Sequence, residues 1–151
     1  MLTYDNLAIG QEFALGPKLV TAEEIIEFAS EFDPQPFHLD PESDQAAQVG
    51  GLIASGWHTC SMFMRMMCDG FILDSTSQGS AGLDEVRWLL PVRPGDRLTG
   101  TARVVEKRVP KSRPDLGMVQ FEYTLNNQNG ETVMTIKGNG MLGRTPEAAS
   151  A

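Results

Sequence analysis

The chain has 151 residues, 41% of them hydrophobic, which is enough for one domain with its own core and too little for two ordinary ones. A net charge of −8 argues against nucleic-acid binding, and neither a signal-peptide pattern nor a run of twenty apolar residues occurs, so a cytoplasmic protein with no membrane partner is expected. The two cysteines, Cys60 and Cys68, share one apolar segment, where buried reduced thiols are expected in place of a bridge.

Residues 11–20 (QEFALGPKLV) read as a strand or strand pair interrupted at Gly16-Pro17. Thr21-Ala22-Glu23-Glu24 then forms a T-x-x-E capping box, and the helix that follows spaces Ile25, Ala29 and Phe32 at three and four, with Phe28 beside them. That predicts one buried face and an acidic outer face of Glu23, Glu27 and Glu31. Pro34 disfavours helix at Asp33, and with Pro36 it stiffens a loop over Asp33-Pro34-Gln35-Pro36-Phe37-His38. Asp40-Pro41-Glu42 opens a short helix through Ala46 and Ala47, broken at Gly50-Gly51. Residues 57–68 (WHTCSMFMRMMC) have few polar side chains on any face, which predicts a helix buried on all sides, with Ser55 near its N-cap.

Beyond Gly79 the pattern turns to strands over 85–90, 97–107, 118–126 and 131–142, the last two joined by a hairpin ending in Asn129-Gly130. A helical first half and long antiparallel strands in the second give an α+β fold, a sheet wrapped around a long apolar helix, as a single domain over residues 1–144. Residues 145–151 (TPEAASA) read as a disordered tail.

The chemistry concentrates in the proline-stiffened loop. Asp33 and His38 form a candidate acid/base pair; the plainer alternative makes Asp33 a turn former and His38 an ordinary loop residue. Charge is uneven: residues 87–113 hold eight bases and two acids, which suits either an anionic ligand or a solvated strand face. His58 reads as a hydrogen-bonded core residue and not a second base, and the methionines Met62, Met64, Met66 and Met67 as core filler more than an acyl-pocket lining. The two histidines and two cysteines lack zinc-ligand spacing, and neither a G-x-S-x-G elbow nor a phosphate-binding glycine loop occurs, so no metal and no cofactor is expected.

Residues 28–47 (FASEFDPQPFHLDPESDQAA) resemble the signature of the MaoC-like dehydratases, or (R)-specific enoyl-CoA hydratases: an aromatic residue, then Asp-x-Asn-Pro-x-His, then a small residue. Asp33, Pro36, Phe37, His38 and Ala47 match; Gln35 stands where the family usually has Asn, Phe32 where it often has Gly, and Ser55 where many relatives carry His. The similarity extends to Ile53-Ala54-Ser55-Gly56 and to Val86-Arg87-Trp88 through Pro94-Gly95-Asp96, covering roughly residues 5–143. The resemblance implies a hot-dog fold, a trans-2-enoyl thioester substrate on CoA or a carrier, and water as co-reactant. It implies Asp33 and His38 as the catalytic pair and the Gly56 N–H as the donor to the thioester oxygen. Phe37, Ser55 and Trp57 become candidate substrate contacts, although Trp57 also reads as packing, while Arg93, Lys111 and Arg113 become candidate contacts to CoA phosphates. A homodimer or larger homo-oligomer is implied. A hot-dog thioesterase and a non-catalytic acyl-CoA-binding protein remain the alternatives.

Overall fold

Period-two alternation of apolar and polar residues builds the second half of the chain into a sheet, as the computed structural model, which describes residues 1–150, shows. Five strands, β1 (Glu12–Leu19), β2 (Leu83–Trp88), β3 (Arg97–Arg108), β4 (Leu116–Asn126) and β5 (Thr132–Gly143), form one antiparallel sheet in the order β1-β3-β4-β5-β2. Leu98, Ala102 and Val104 on β3, Val119, Phe121, Tyr123 and Leu125 on β4, and Met134, Ile136 and Leu142 on β5 bury one face. Strand bounds fall within two residues of those expected. β1 is one strand, with an irregularity in register between Leu15 and Lys18 at the cis Gly16-Pro17 bond.

Five α-helices accompany the sheet among the described residues: α1 (Ala22–Phe32), α2 (Pro36–Leu39), α3 (Asp44–Gln48), α4 (Gly56–Gly70) and α5 (Pro146–Ala149). The long helix α4 lies against the apolar face of the sheet, with Phe63 fully buried. Gly100 on β3 makes that approach possible: a Cβ there would sit 2.8 Å from the Phe63 ring. The sheet curved around one long helix is the hot-dog arrangement.

Five local expectations are corrected. α4 is not buried on all sides: Trp57, Ser61, Met64, Arg65 and Asp69 form an exposed stripe, because five strands cover only one side of a helix. Phe32 is exposed too, since the last turn of α1 overhangs the core that takes Ile25 and Ala29. Residues expected to be loop at 36–39 form the single turn α2, with Pro36 at its first position, where a missing N–H costs nothing. The short helix expected from Asp40 starts later, with Ser43 as cap to α3. In the expected tail, Thr145 caps the one-turn α5, and Arg144 and the Thr145 N–H bind Asp5.

The basic run largely resolves into a solvated strand face. Across the polar side of the sheet, Glu12 pairs in register with Arg103, Arg103 with Glu122, Glu122 with Lys137, and Lys137 with Glu85, a row of alternating sign over all five strands. Opposite charges in directly facing positions stabilise a sheet by roughly 0.2–1 kcal/mol per pair. Lys107 lies over the Tyr4 ring, 4.3 Å from its centre, a packing and not a ligand role.

Candidate active site

Asp33 is the C-cap residue of α1, and its backbone N–H bonds to the Ala29 carbonyl. Pro34 and Pro36 then turn the chain so that α2 presents His38 back toward it. The two side chains meet: His38 Nε2 lies 3.3 Å from Asp33 Oδ2, with 6% of the imidazole and 17% of the carboxylate exposed. His38 Nδ1 is 2.7 Å from the Ile53 carbonyl. A carbonyl only accepts, so Nδ1 carries the proton and the neutral ring offers Nε2 as an acceptor.

Asp33 is held as a carboxylate. Ser55 Oγ donates to Oδ2 at 2.7 Å and the Gln35 amide donates to Oδ1 at 2.7 Å. The Ser55 hydroxyl first, against partial burial, then the Gln35 amide, and last the His38 ring whenever it carries a second proton, bring the Asp33 carboxyl below the ordinary aspartate range. Gln35, the departure from the usual Asn, thus reaches the Asp33 carboxylate.

Ser55 occupies the N-cap position of α4 yet makes no capping bond, because its hydroxyl is turned to Asp33. The first intrahelical bond runs from Thr59 N–H to the Ser55 carbonyl. The N–H groups of Gly56, Trp57 and His58 therefore end the helix without a hydrogen-bond partner among the described residues, the positive end of its dipole. Gly56 also serves packing. A Cβ at that position would lie 2.6 Å from Trp88 Cε2, and Trp88 Nε1 donates to the Gly56 carbonyl at 3.1 Å.

Asp33, His38 and Gly56 line one cleft of about 410 Å³, bounded by Trp57, Trp88 and the segment Leu89–Val92. Trp57 packs edge-on to Trp88, ring centres 5.6 Å apart, and also borders an apolar cavity of about 530 Å³ between α4 and β5 that includes Met64 and Leu83.

The other sequence candidates fall elsewhere. Ser55 is fully buried and holds Asp33, so it positions the carboxylate where a substrate contact was expected. Phe37 packs edge-on to the His38 ring at 4.4 Å and does not line the cleft. Arg93 bonds through its guanidinium to the Val49 carbonyl at the end of α3. Lys111 and Arg113 lie in the turn after β3, whereas the cleft borders the loop before that strand; its twelve residues span about 40 Å. Arg113 pairs with Asp115 at 2.8 Å. None of these three bases joins the dyad within the protomer.

His58 is buried in a separate groove between β1 and α4, stacked 4.8 Å from Phe28, with Nε2 3.9 Å from Glu24. Burial outweighs the nearby carboxylate and lowers its proton affinity. Its Nδ1 has no partner among the described residues, so the expected hydrogen-bonded core histidine is core but not bonded there. Cys60 and Cys68 are free thiols. Among the described residues no group of three or more His, Cys, Asp or Glu side chains is placed to hold a metal ion. The contacts made by Trp88, Gln35 and the Ile53 carbonyl are what sequence reasoning missed; the available signals were the motif position of Gln35 and an aromatic residue close before a proline turn.

A model of the MaoC like domain family matches residues 5–125. The chain belongs to that family. The MaoC-like chain is 33% identical over 125 residues to the uncharacterized protein YdeM of Bacillus subtilis (strain 168), covering 82% of this chain and 86% of that protein. It is 40% identical to the MaoC-like dehydratase from Rhodospirillum rubrum, whose crystal structure superposes with a TM-score of 0.88 over 97% of this chain and 99% of the other. An (R)-hydratase from A. caviae involved in PHA biosynthesis shares 25% identity at a TM-score of 0.70, over 90% of this MaoC-like chain and 97% of its own.

Proposed function

We propose that the protein is a hydro-lyase that adds water reversibly to a trans-2-enoyl thioester, giving an (R)-3-hydroxyacyl thioester. The observation that carries this reading is the acceptor pair, Asp33 Oδ2 and His38 Nε2 3.3 Å apart, in one cleft with the unpaired N-terminus of α4. Two acceptors at that separation suit one water molecule that donates to both. Its oxygen lone pair then forms the bond to C3. The C2=C3 electron pair moves toward the thioester carbonyl, whose oxygen takes up negative charge. The Gly56 N–H, at the positive end of α4, is the donor for that oxygen, and such a donor contributes roughly 3–4 kcal/mol where one has been removed from other enzymes. The water proton passes to the Asp33–His38 pair and is returned to C2, so the dyad ends as it began and no cofactor enters. General acid/base help of this kind is worth roughly 10²–10⁴-fold.

The acyl carrier, CoA or a carrier protein, lies outside the cleft. The resemblance to an (R)-hydratase supports the stereochemistry, and the family membership supports the reaction class. Two free thiols fit a reducing cytoplasm, and no helix among the described residues is long and apolar enough to cross a membrane. The exposed stripe of α4 and the free edge of β2 support a homodimer as the working unit.

The test follows the enoyl-thioester absorbance with crotonyl-CoA and a longer enoyl-CoA while free thiol is measured in parallel. Loss of the enoyl band without thiol release is expected, reduced at least 10²-fold in Asp33→Asn that keeps the circular dichroism of the parent. Loss of the band with equal thiol release would instead identify a thioesterase, since hydrolysis also destroys the conjugated thioester, and no reaction with any substrate would leave an acyl-thioester-binding role.

A further inference from the structure

The apolar cavity of about 530 Å³ between α4 and β5 has no charged side chain among the residues that line it. Its serines and its asparagine are already engaged within the protein. Ser61, Ser75 and Ser80 donate to the Trp57, Ile72 and Gly82 carbonyls, Ser77 accepts from the Gly79 N–H, and the Asn139 amide donates to Asp84 at 3.5 Å. Tyr123 is the exception. It lines the same cavity from β4, is only 9% exposed, and its hydroxyl makes no hydrogen bond among the described residues.

A tyrosine hydroxyl enclosed by apolar side chains normally finds a partner, because without one it forfeits its hydration and gains nothing in return. The ring cannot easily turn to look for one, being stacked 5.5 Å from Phe121 and edge-on to Phe63 at 5.7 Å. Burial pushes the phenol above the ordinary tyrosine value, so it stays a neutral hydroxyl that can donate to a neutral acceptor. The cavity holds no cation to balance a carboxylate, and a buried unpaired charge is far costlier than a buried hydroxyl. Trp57 borders both this cavity and the catalytic cleft, so a chain leaving the thioester along α4 passes from one into the other. Phe63 stands seven residues beyond Gly56, about 10 Å of helix, and an extended chain advances about 1.2 Å per bond, which sets the phenol roughly eight bonds from the thioester carbon.

We propose that Tyr123 is a specificity-determining residue whose hydroxyl selects an acyl tail carrying a neutral oxygen, as a hydroxyl, ether or ketone, near the end of a chain of about ten carbons. It rests on the enoyl-thioester reading above. The phenol stays remote from the dyad and takes no part in the chemistry, and the same uncharged lining turns away a tail that ends in a carboxylate.

The test compares kcat/KM for trans-2-enoyl-CoA substrates of about ten carbons, one plain, one ending in a hydroxyl and one ending in a carboxylate, on the parent and on Tyr123→Phe. Circular dichroism melts show that the variant, which loses a single oxygen, is folded. The parent is expected to favour the hydroxylated chain over the plain one by roughly three- to tenfold, the usual net worth of one hydrogen bond, and to use the carboxylate worst. Tyr123→Phe is expected to lose that preference, since the tail hydroxyl then enters the cavity without a partner. Calorimetric titration with saturated acyl-CoA bearing the same tails repeats the comparison without turnover. Equal ratios in the parent and in folded Tyr123→Phe, or a parent that prefers the plain or the carboxylated chain, would overturn the role of the phenol. A tail preference in binding, lost in Tyr123→Phe, with no hydration of any enoyl-CoA would sink the hydratase reading and leave the tail recognition standing.

Discussion

Ser55 is the residue on which most of the site's electrostatics turn. Its hydroxyl is the main reason the Asp33 carboxyl sits below the ordinary aspartate range. A carboxyl whose folded proton affinity is lowered contributes stability that is fully present above its unfolded value and is lost as pH falls through its folded one. Ser55→Ala removes the largest lowering influence, so the folded value climbs toward the ordinary range. The acid limb of the kcat/KM profile is expected to move to higher pH, and stability at pH 7 to fall by about 1.5–3 kcal/mol, the usual worth of a hydrogen bond to a charged group. A pH profile that does not move, with only the melting temperature lowered, would reduce Ser55 to packing. The sequence disclosed the dyad through its proline-flanked spacing and the family resemblance together. It did not disclose that Ser55 serves Asp33, because the N-cap rule gives that hydroxyl a local partner and only the tertiary fold supplies the better one.

At the scale of elements, the contact between the start of α4 and the end of β2 decides the shape of the cleft. Gly56 lets the Trp88 indole lie against the helix, and the indole N–H answers by bonding to the Gly56 carbonyl. Gly56→Ala drives a methyl group into the ring and is expected to cost about 1–3 kcal/mol by overpacking while lowering kcat/KM. Adding Trp88→Phe, a smaller ring, is expected to recover part of the stability; a Gly56→Ala protein as stable and active as the parent would show that the indole moves aside freely. The major strands and both longer helices were legible because alternation and three-to-four spacing are local signals. The single turn α2 was not, since one helical turn has too few residues to show a period, although Pro36 at its first position was the available clue. Phe32 misled because periodicity reports which way a side chain points and not whether the core extends that far.

For the whole molecule, a protomer of this size leaves Trp57, Met64, Leu83, Trp88, Leu89 and Leu90 exposed along one side. Large contiguous apolar surface on a small soluble unit is normally an interface. If that surface is shared between copies, unfolding is linked to dissociation, and the melting temperature rises with protein concentration. Differential scanning calorimetry over a hundredfold concentration range checks this, and a concentration-independent melting temperature would argue for an isolated protomer. The expectation of a fully enclosed α4 failed for the same reason: composition shows that a helix is apolar, but one protomer's sheet supplies walls on one side only.

The uncapped start of α4 ties heat resistance to the carboxylate beside it. A helix of fifteen residues whose N-cap hydroxyl is engaged elsewhere forgoes roughly 0.5–2 kcal/mol of capping, and aspartate is among the strongest capping residues. Laboratory evolution that selects thermal tolerance without assaying turnover nevertheless gains nothing from Ser55→Asp, which would trade the stronger bond to Asp33 for that cap and bury a second carboxylate against the first. A lineage selected for heat alone would therefore keep the amides at the helix start open.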